Sequence, residues 1–320
     1  MNYRTLGRTG LLVSEIGFGA WGIGGIVRDS SAYGRTDDRV SQRALEAAYE
    51  AGVTFFDTSA LYGYGHSEEL IGKTLHKVRD RIVISTKAGF IDFSGAQDFS
   101  PAHLRSSLEA SLRRLRSGYV DVFQLHDPPL DLLEQDDSIM TTLNNFQEEG
   151  KIRIIGISTR TPADSLIAVE RLGFKSVQVN FNLVDQRVLE IGLFPACRTH
   201  GAGLIVRTPL CFGFLTGKYA AGDDYAVGDH RGRWKPEQVK LWAEACELFS
   251  ATLAPEEAQS NAQIALRYVL SFVEVSTTIP GMLTNTQVVE NVAASGMGPF
   301  PMQVIKEFSE IYRRHTFFCK

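Results

Sequence analysis

The sequence predicts an α/β fold, a closed (β/α)8 or TIM barrel in a single domain that spans residues 1–320. Short apolar runs alternate with longer amphipathic stretches from one end of the chain to the other, and no linker or change of composition interrupts them. The runs are almost wholly apolar, as expected for parallel strands that are covered on both faces. The eight predicted strands are residues 15–19, 53–56, 82–86, 120–125, 152–157, 176–180, 203–206 and 274–278.

Helices are predicted between the strands from apolar spacing and capping residues. Leucines recur at near-helical spacing within residues 101–116. The pairs Ser100-Pro101 and Thr161-Pro162 each place a capping side chain before a proline in the first helical turn. The predicted helices include residues 39–51, 101–116, 138–149 and 163–172.

Two segments lie outside this alternation. Residues 1–14 contain turn signals ahead of the first strand, which predicts an N-terminal hairpin that closes the bottom of the barrel. Residues 207–235 are the longest stretch without periodicity, and a long loop after a strand is usually functional. A dinucleotide-binding Rossmann fold is disfavoured, because no helical pattern follows the Gly-Ile-Gly-Gly at 22–25.

Composition and charge indicate a globular protein with a small-molecule partner. Hydrophobic residues make up 44% of the chain and charged residues 22%, which is enough apolar material for a large core. The net charge of -4 gives no reason to expect nucleic acid or an anionic membrane as a partner. Four cysteines lack the spacing of a disulfide framework or a zinc ribbon, and no signal peptide or membrane span is evident. We expect a cytoplasmic protein with reduced thiols.

Polar side chains at the ends of strands two to four are candidate catalytic residues. Asp57 follows the second strand, Lys87 ends the third, His126 ends the fourth, and Tyr62 lies in the loop after Asp57. Because neighbouring strands of a barrel end at the same rim, we expect these four side chains to converge. Each taken alone is compatible with a structural role, but an isolated buried charge is costly, so pairing is expected.

These residue types are suited to proton transfer. The ammonium of Lys87 is expected to lower the pKa of Tyr62 from its usual value near 10, which makes Tyr62 a proton donor. Asp57 would hold Lys87 charged and oriented, while His126 would hydrogen-bond a substrate carbonyl. Positioned proton transfer of this kind contributes about 10²- to 10⁴-fold to a rate.

Seven segments resemble, in order and spacing, the signature blocks of the aldo-keto reductase superfamily. They are FDTSALYGYGHSEELIGKTL, VISTKAG, YVDVFQLHDP, IRIIGIST, VQVNFN, PLCFGFLTGKY and TTIPGMLTNTQVVENV. The resemblance implies a barrel oxidoreductase that uses a nicotinamide cofactor without a metal and is a monomer or weak homo-oligomer. It implies that Tyr62 is the proton donor, assisted by Lys87 and Asp57, and that His126 places the carbonyl that accepts a hydride.

The resemblance also implies a set of cofactor contacts. Gln178 matches the family's glutamine beneath the nicotinamide ring, and residues 210–218 resemble the loop that covers the pyrophosphate. Thr159 stands where the family has asparagine. Arg207 stands where many members have an aromatic residue, and we expect its charge to favour the reduced cofactor. The expected contacts are Gly19, Ala20, Trp21, Asp57, Ser158, Thr159, Gln178, Arg207, Pro209, Leu210, Gly213, Leu215, Gly217, Lys218, Gly281, Gln287, Glu290 and Asn291.

NADP(H) is the cofactor that the resemblance implies, with NAD(H) or use of both as the alternative. The family's two cations for the 2'-phosphate of NADP are replaced here by the Gly281-Met282-Leu283 segment and by Gln287, and residues 281–291 carry no positive charge. A phosphate there would meet helix N-terminal amides and hydroxyls such as those of Thr284 and Thr286.

The predicted reaction is reduction of an aldehyde or ketone to the alcohol. Polar and aromatic side chains in residues 22–37, 127–137, 219–234 and 296–320 favour a polar, sugar-like carbonyl. Three alternatives stay open: a sugar or polyol dehydrogenase working in the oxidative direction, a cofactor-binding regulatory subunit with slow turnover, and a lyase or isomerase that uses Lys87 as a Schiff base. The residues expected to line the substrate pocket are Trp21, Tyr62, His126, Asp127 and Trp234.

Overall fold

The computed structural model describes residues 1–220, 222–253 and 259–319, so that residues 221 and 320 of the predicted specificity segments lie outside the described residues. A two-stranded hairpin precedes a sheet of eight parallel strands. The strands are β1 (Tyr3–Thr5), β2 (Leu12–Ser14), β3 (Phe18–Gly19), β4 (Phe55–Asp57), β5 (Val83–Ala88), β6 (Val120–His126), β7 (Ile152–Ser158), β8 (Ser176–Asn180), β9 (Gly203–Arg207) and β10 (Val275–Thr278).

Helices follow most of the strands and cover the outside of the sheet. The four helices named from the sequence lie within two residues of their expected bounds. No helix of the described residues is long and apolar enough to cross a membrane. The helices are α1 (Asp38–Glu50), α2 (His66–Leu75), α3 (Pro101–Leu115), α4 (Leu130–Gln135), α5 (Asp137–Glu148), α6 (Pro162–Glu170), α7 (Arg187–Glu190), α8 (Leu193–His200), α9 (Pro236–Ser250), α10 (Asn261–Leu270), α11 (Asn285–Gly296) and α12 (Met302–Arg314).

The sheet closes on itself between its first and last strands. From β3 to β10 each strand pairs in parallel with the next one along the chain. The N–H of Gly17 donates to the carbonyl of Thr278 at 2.8 Å, and the N–H of Gly19 donates to the carbonyl of Pro280 at 2.9 Å. These bonds join the two edges, so the predicted (β/α)8 barrel is confirmed.

The hairpin of β1 and β2 covers the end of the barrel at which the strands begin. Leu6 and Val13 are fully buried and pack on the interior side chains of five barrel strands. The N–H of Arg8 donates to the carbonyl of Gly201, two residues before β9, at 2.9 Å. The barrel therefore has an apolar floor, and its functional groups gather at the opposite end, as expected for this architecture.

Close packing of α2 on α3 fixes the element that follows the Tyr62 loop. A Cβ atom on Gly72 of α2 would lie 2.2 Å from the carbonyl oxygen of Arg114. The same helices are joined by the Nε of Arg114, which donates to the buried carboxylate of Glu68 at 2.7 Å. Because α2 begins directly after the loop, this contact limits where Tyr62 can lie.

We expect Gly72→Ala to lower the free energy of unfolding by about 1–3 kcal/mol, because the added methyl group meets backbone rather than a movable side chain. Gly296→Ala in α11 is the matched control, since nothing lies within 4 Å of its added Cβ. The control should stay within about 1 kcal/mol of the parent. Denaturant unfolding measures both, and a Gly72→Ala variant as stable as the control would contradict this account of the α2–α3 contact.

Candidate active site

A cavity of about 490 Å³ opens at the C-terminal ends of the barrel strands. A cavity at this end is typical of a barrel, because all of the parallel strands end at the same rim. Residues that end or follow seven of the eight strands line it: Gly19, Asp57, Asp127, Arg160, Asn180, Arg207 and Ile279.

Lys87 carries a fully buried charge beside this cavity. Its Nζ donates to Oδ1 of Asp57 at 2.5 Å, to the carbonyl of Thr58 at 2.8 Å and to Oη of Tyr62 at 3.2 Å. Burial alone lowers the pKa of Lys87, but the carboxylate of Asp57 and the phenol of Tyr62 outweigh it and raise that pKa. Lys87 is therefore an ammonium ion that is held by three oxygen atoms.

Tyr62 lines the cavity and is half-buried. Burial raises the pKa of Tyr62 above its usual value of 10, and the charge of Lys87 offsets this only in part. Lys87 lowers this pKa as the sequence predicts, but the expected net shift toward neutral pH is wrong, because the cost of burying a phenolate exceeds the attraction of one ammonium. The phenol keeps its proton at neutral pH, which is the state that a proton donor needs.

A short turn at Tyr62–Gly65 determines the position of the Tyr62 side chain at the cavity. Gly63 has a φ of 58°, a conformation that favours glycine. A Cβ atom on Gly63 would lie 2.3 Å from the carbonyl oxygen of Gly24, in the turn that follows β3. The close approach of these two turns places Tyr62 against the cavity wall.

His126 ends β6 and is uncharged. Burial first, and then the charges of Lys87 and Arg207, lower the pKa of His126 well below 6.5. Its Nδ1 lies 3.3 Å from Oγ of Ser59, which accepts the N–H of Leu61 at 3.2 Å. The Ser59 hydroxyl is thereby available to donate to Nδ1, which leaves Nε2–H of His126 as a donor for a ligand.

Asp57 is fixed by donors on both of its oxygen atoms. While Oδ1 accepts from Lys87, Oδ2 accepts from Nε2 of Gln178 at 2.8 Å and from Nε2 of Gln124 at 3.2 Å. Gln178 also lines the cavity, where it was expected. Gln124 and Ser59 were missed from the sequence. Their signals are a buried amide two residues before His126 on the same face of β6, and a hydroxyl two residues after Asp57.

Most of the expected cofactor residues come together around the cavity. The four that do not line it, among the described residues, are Ser158, Thr159, Leu215 and Gly217. The hydroxyl of Ser158 donates to Asp127 at 3.3 Å, and Leu215 is buried. The expected residues that line the cavity are Gly19, Ala20, Trp21, Asp57, Gln178, Arg207, Pro209, Leu210, Gly213, Lys218, Gly281, Gln287, Glu290 and Asn291.

Arg207 reaches the cavity from the end of β9. One terminal nitrogen donates to the carbonyl of Thr159 at 2.9 Å. Its Nε is buried and has no hydrogen-bond partner within the described part of the chain. A buried donor without a partner is costly, and a polar ligand in the cavity would relieve that cost. The carboxamide oxygen of a nicotinamide cofactor is an acceptor of the kind that this donor fits.

The far end of the cavity carries little positive charge. The side-chain oxygen of Gln287 accepts the N–H of Leu283 at 2.7 Å. Lys218, which is exposed, has its Nζ 3.4 Å from a carboxylate oxygen of Glu290. The cation at this end is therefore already paired.

Aromatic rings form the wall where the substrate was expected. Of the five residues expected there, Trp21, Tyr62, Asp127 and Trp234 line the cavity. His126 is not among the described residues that line it, although its ring lies 6.2 Å from that of Tyr62. Sequence reasoning missed the ring of His230, which lies 4.6 Å from that of Trp21.

His230 and Trp234 of this wall lie in residues 207–235, the long loop that the sequence predicts to be functional. The N–H of His230 donates to the carbonyl of Ala32 at 2.8 Å, and burial lowers the pKa of His230 to about 4. The guanidinium of Arg231 pairs with Asp229 at 2.6 Å.

No group of three or more His, Cys, Asp or Glu side chains in the described ranges is placed to hold a metal ion.

Comparison with known proteins agrees with this geometry. The model of the aldo/keto reductase family matches residues 15–313. The chain belongs to the aldo/keto reductase family. The superfamily resemblance drawn from the sequence is confirmed, and the protein is an oxidoreductase of a family that reduces carbonyl groups with NAD(P)H.

Individual members resemble the chain over most of its length. It is 32% identical to L-galactose dehydrogenase of Arabidopsis thaliana over 301 residues, 91% of this chain and 87% of that protein. It is 32% identical to L-glyceraldehyde 3-phosphate reductase of Escherichia coli (strain K12) over 314 residues, 92% of this chain and 87% of that protein. The holo structure of aldo-keto reductase AKR11C1 from Bacillus halodurans superposes with a TM-score of 0.79 at 27% identity and covers 97% of this chain and 96% of that one.

The uncharged state of His126 leads to a pH prediction. Because the unfolded chain binds a proton near pH 6.5 and the folded imidazole does not, the free energy of unfolding should fall as the pH drops below about 6.5. In His126→Gln the fall should be shallower, by up to about 1.4 kcal/mol per pH unit. Denaturant unfolding at a series of pH values measures the slope, and His76→Gln, on the exposed surface, is the matched control.

An NMR titration of the His126 ring provides the second measurement for this prediction. The resonance should keep its neutral position as the pH falls through the ordinary range of an imidazole. A ring that gains its proton near pH 6.5, together with an unchanged stability slope in His126→Gln, would contradict the assignment.

Proposed function

We propose that this protein reduces an aldehyde or ketone to the alcohol, with Tyr62 as the proton donor. The observation that carries the proposal is the position of the Lys87 ammonium, within hydrogen-bond distance of both Asp57 and the Tyr62 hydroxyl beside the cavity. Ammonium, carboxylate, phenol and neutral imidazole form a set that can polarise a carbonyl and protonate its oxygen.

Each side chain has a defined part in this reaction. The nicotinamide, when bound, supplies the hydride that the carbonyl carbon accepts. The Nε2–H of His126 donates to the carbonyl oxygen and orients it, and Tyr62 Oη gives that oxygen its proton. Lys87 stabilises the phenolate that this leaves behind, and Asp57 keeps Lys87 in place. The neutral state of His126 is required, because a charged imidazole beside Lys87 would repel it.

We propose a polar, sugar-like carbonyl as the substrate class. Its support is the mixture of aromatic rings and charged groups around the cavity, including Trp21, Trp234, Asp127 and Arg160. Rings cover the apolar face of a sugar, while charged groups hydrogen-bond its hydroxyls. The relatives named for L-galactose and L-glyceraldehyde 3-phosphate support the same class.

NADP(H) is the proposed cofactor, and NAD(H) is proposed to be accepted as well. The family supports the first, and the paired state of Lys218 together with the absence of cations from residues 281–291 supports the second. We also propose that the charge of Arg207, which lines the cavity, favours the reduced cofactor because the oxidised ring is cationic.

Oxidation of a sugar or polyol by the same residues is the second candidate, and the name of the Arabidopsis relative favours it. A Schiff base on Lys87 has less support, because a nucleophilic amine must be neutral and the pKa of Lys87 is raised. A regulatory subunit would bind the cofactor but would turn over carbonyl substrates only slowly, so a measured kcat distinguishes it from a reductase.

The wider setting of the protein also stays a proposal. We propose one domain over residues 1–320, acting as a monomer or weak homo-oligomer. A cytoplasmic location is supported by the free thiols of all four cysteines, Cys197, Cys211, Cys246 and Cys319.

We expect Tyr62→Phe to lower kcat for reduction of an aromatic or sugar-like aldehyde by about 10²- to 10⁴-fold, because the proton donor is lost. The affinity for NADPH should stay close to that of the parent. Consumption of NADPH and of NADH, measured separately, gives both the rate and the cofactor preference.

The matched control for this experiment is Tyr64→Phe, two residues along the same turn. The Tyr64 hydroxyl donates to Asp29 at 2.6 Å rather than facing Lys87, so its loss should leave kcat nearly unchanged. A Tyr62→Phe variant that keeps the parent rate would overturn the assignment of the proton donor. Cofactor binding without any turnover by the parent would favour the regulatory alternative.

A further inference from the structure

We propose that Gln124 is a positioning residue, which holds the Asp57 carboxylate in the orientation that fixes Lys87 beside Tyr62. This inference rests on the proposed function, since it concerns the same reaction. Gln124 touches neither the cavity nor the proposed substrate, and it would act through Asp57.

The side chain of Gln124 connects three neighbouring strands. It lies on β6 and is fully buried. Its Nε2 donates to Oγ of Ser85 on β5 at 2.6 Å and to Oδ2 of Asp57 on β4 at 3.2 Å. One amide group therefore ties the end of β4 to the two strands that carry Lys87 and His126.

Only one orientation of this amide is compatible with its neighbours. With the opposite orientation, the side-chain oxygen of Gln124 would face the carboxylate of Asp57, and two acceptors would repel each other. In the orientation present, the oxygen is buried and has no hydrogen-bond partner in the part of the chain that the structure describes. An amide that leaves its oxygen unpaired to donate to Asp57 is costly for the fold. That cost points to a functional reason for the donor.

The neighbouring strand makes room for this side chain. Gly156 of β7 lies opposite Gln124 in the strand register. A Cβ atom on Gly156 would lie 3.0 Å from Cγ of Gln124, which is tighter than ordinary packing. A larger residue at 156 would press on the glutamine, so the sequence of β7 is matched to the position of Gln124.

The two glutamines that bind Oδ2 of Asp57 differ in what else they meet. Gln178 lines the cavity, so its amide is shared between Asp57 and whatever occupies the site. Among the described residues that line the cavity, Gln124 is absent. The hydrogen bond from Gln124 to Asp57 is therefore independent of whether a ligand occupies the cavity. Without it, the carboxylate could rotate and Lys87 Nζ would lose its fixed distance of 3.2 Å from the Tyr62 hydroxyl.

The first test is Gln124→Met, which keeps the length of the side chain and removes the donor. We expect kcat to fall about 10- to 100-fold, as for loss of one hydrogen bond to a charged group. The KM for the aldehyde and the Kd for NADPH should change less than about threefold, because Gln124 contacts neither ligand. Ser85→Ala, which removes the anchor of the amide, should lower kcat in the same direction by a smaller factor.

The control for a merely structural role is Val122→Ala, two residues earlier on the same face of β6 and equally buried. It should lose stability while keeping the parent kcat per folded molecule. If Gln124→Met also keeps the parent kcat per folded molecule, the proposal is overturned.

A second variant, Gln124→Glu, gives a readout that a structural role would not move. A carboxyl group at this position donates to Asp57 only when it is protonated, so kcat should rise as the pH falls, in contrast to the parent. A pH profile that is parallel to that of the parent would overturn the proposal.

The outcomes separate this inference from the proposed function. If Tyr62→Phe is inactive and Gln124→Met is fully active, only the role of Gln124 fails. If Tyr62→Phe is as active as the parent, the proposed reaction fails and the role of Gln124 fails with it.

Discussion

The buried ion pair of Lys87 and Asp57 is the constraint on which the rest of the site depends. An ammonium without exposure to solvent is stable only when oxygen atoms replace its water, and here Asp57, Thr58 and Tyr62 do so. Removing one member of such a pair typically costs about 3–5 kcal/mol, because the other charge is left uncompensated. The fold therefore sets the position of the ion pair, and the hydrogen bond from Lys87 Nζ to Tyr62 Oη positions the phenol beside it.

The barrel supplies what this pair requires. Asp57 and Lys87 lie on adjacent strands, β4 and β5, so the parallel register brings their side chains to the same rim. The strands β6 and β8 add the amides that hold the second oxygen of Asp57. The same positive charge helps to keep His126 neutral. One buried cation thus orients the carboxylate and the phenol, and its charge also lowers the pKa of the imidazole.

Much of this arrangement is predictable from the sequence, because parallel strands have long apolar runs and their ends carry conspicuous polar residues. The barrel and its eight strands follow from that pattern, as does the convergence of Asp57, Tyr62, Lys87 and His126. The direction of the pKa shift of Tyr62 does not follow, since it depends on how deeply the phenol is buried. Gln124 escapes notice because a single amide within an apolar strand has no periodic signal. The roles expected for Ser158 and Thr159 stay predictions, because neither residue lines the cavity and their hydroxyls bond to Asp127 and to Ser165.

The most direct test of the ion pair as a single functional unit is a double-mutant cycle in kcat. The three variants are Asp57→Asn, Lys87→Met and the double variant, each measured at saturating NADPH with folding checked by circular dichroism. Groups that act as a unit give non-additive losses, so the double variant should lose about as much activity as the worse single variant. Losses that multiply in the double variant would show that Asp57 and Lys87 act independently, and would contradict the central claim.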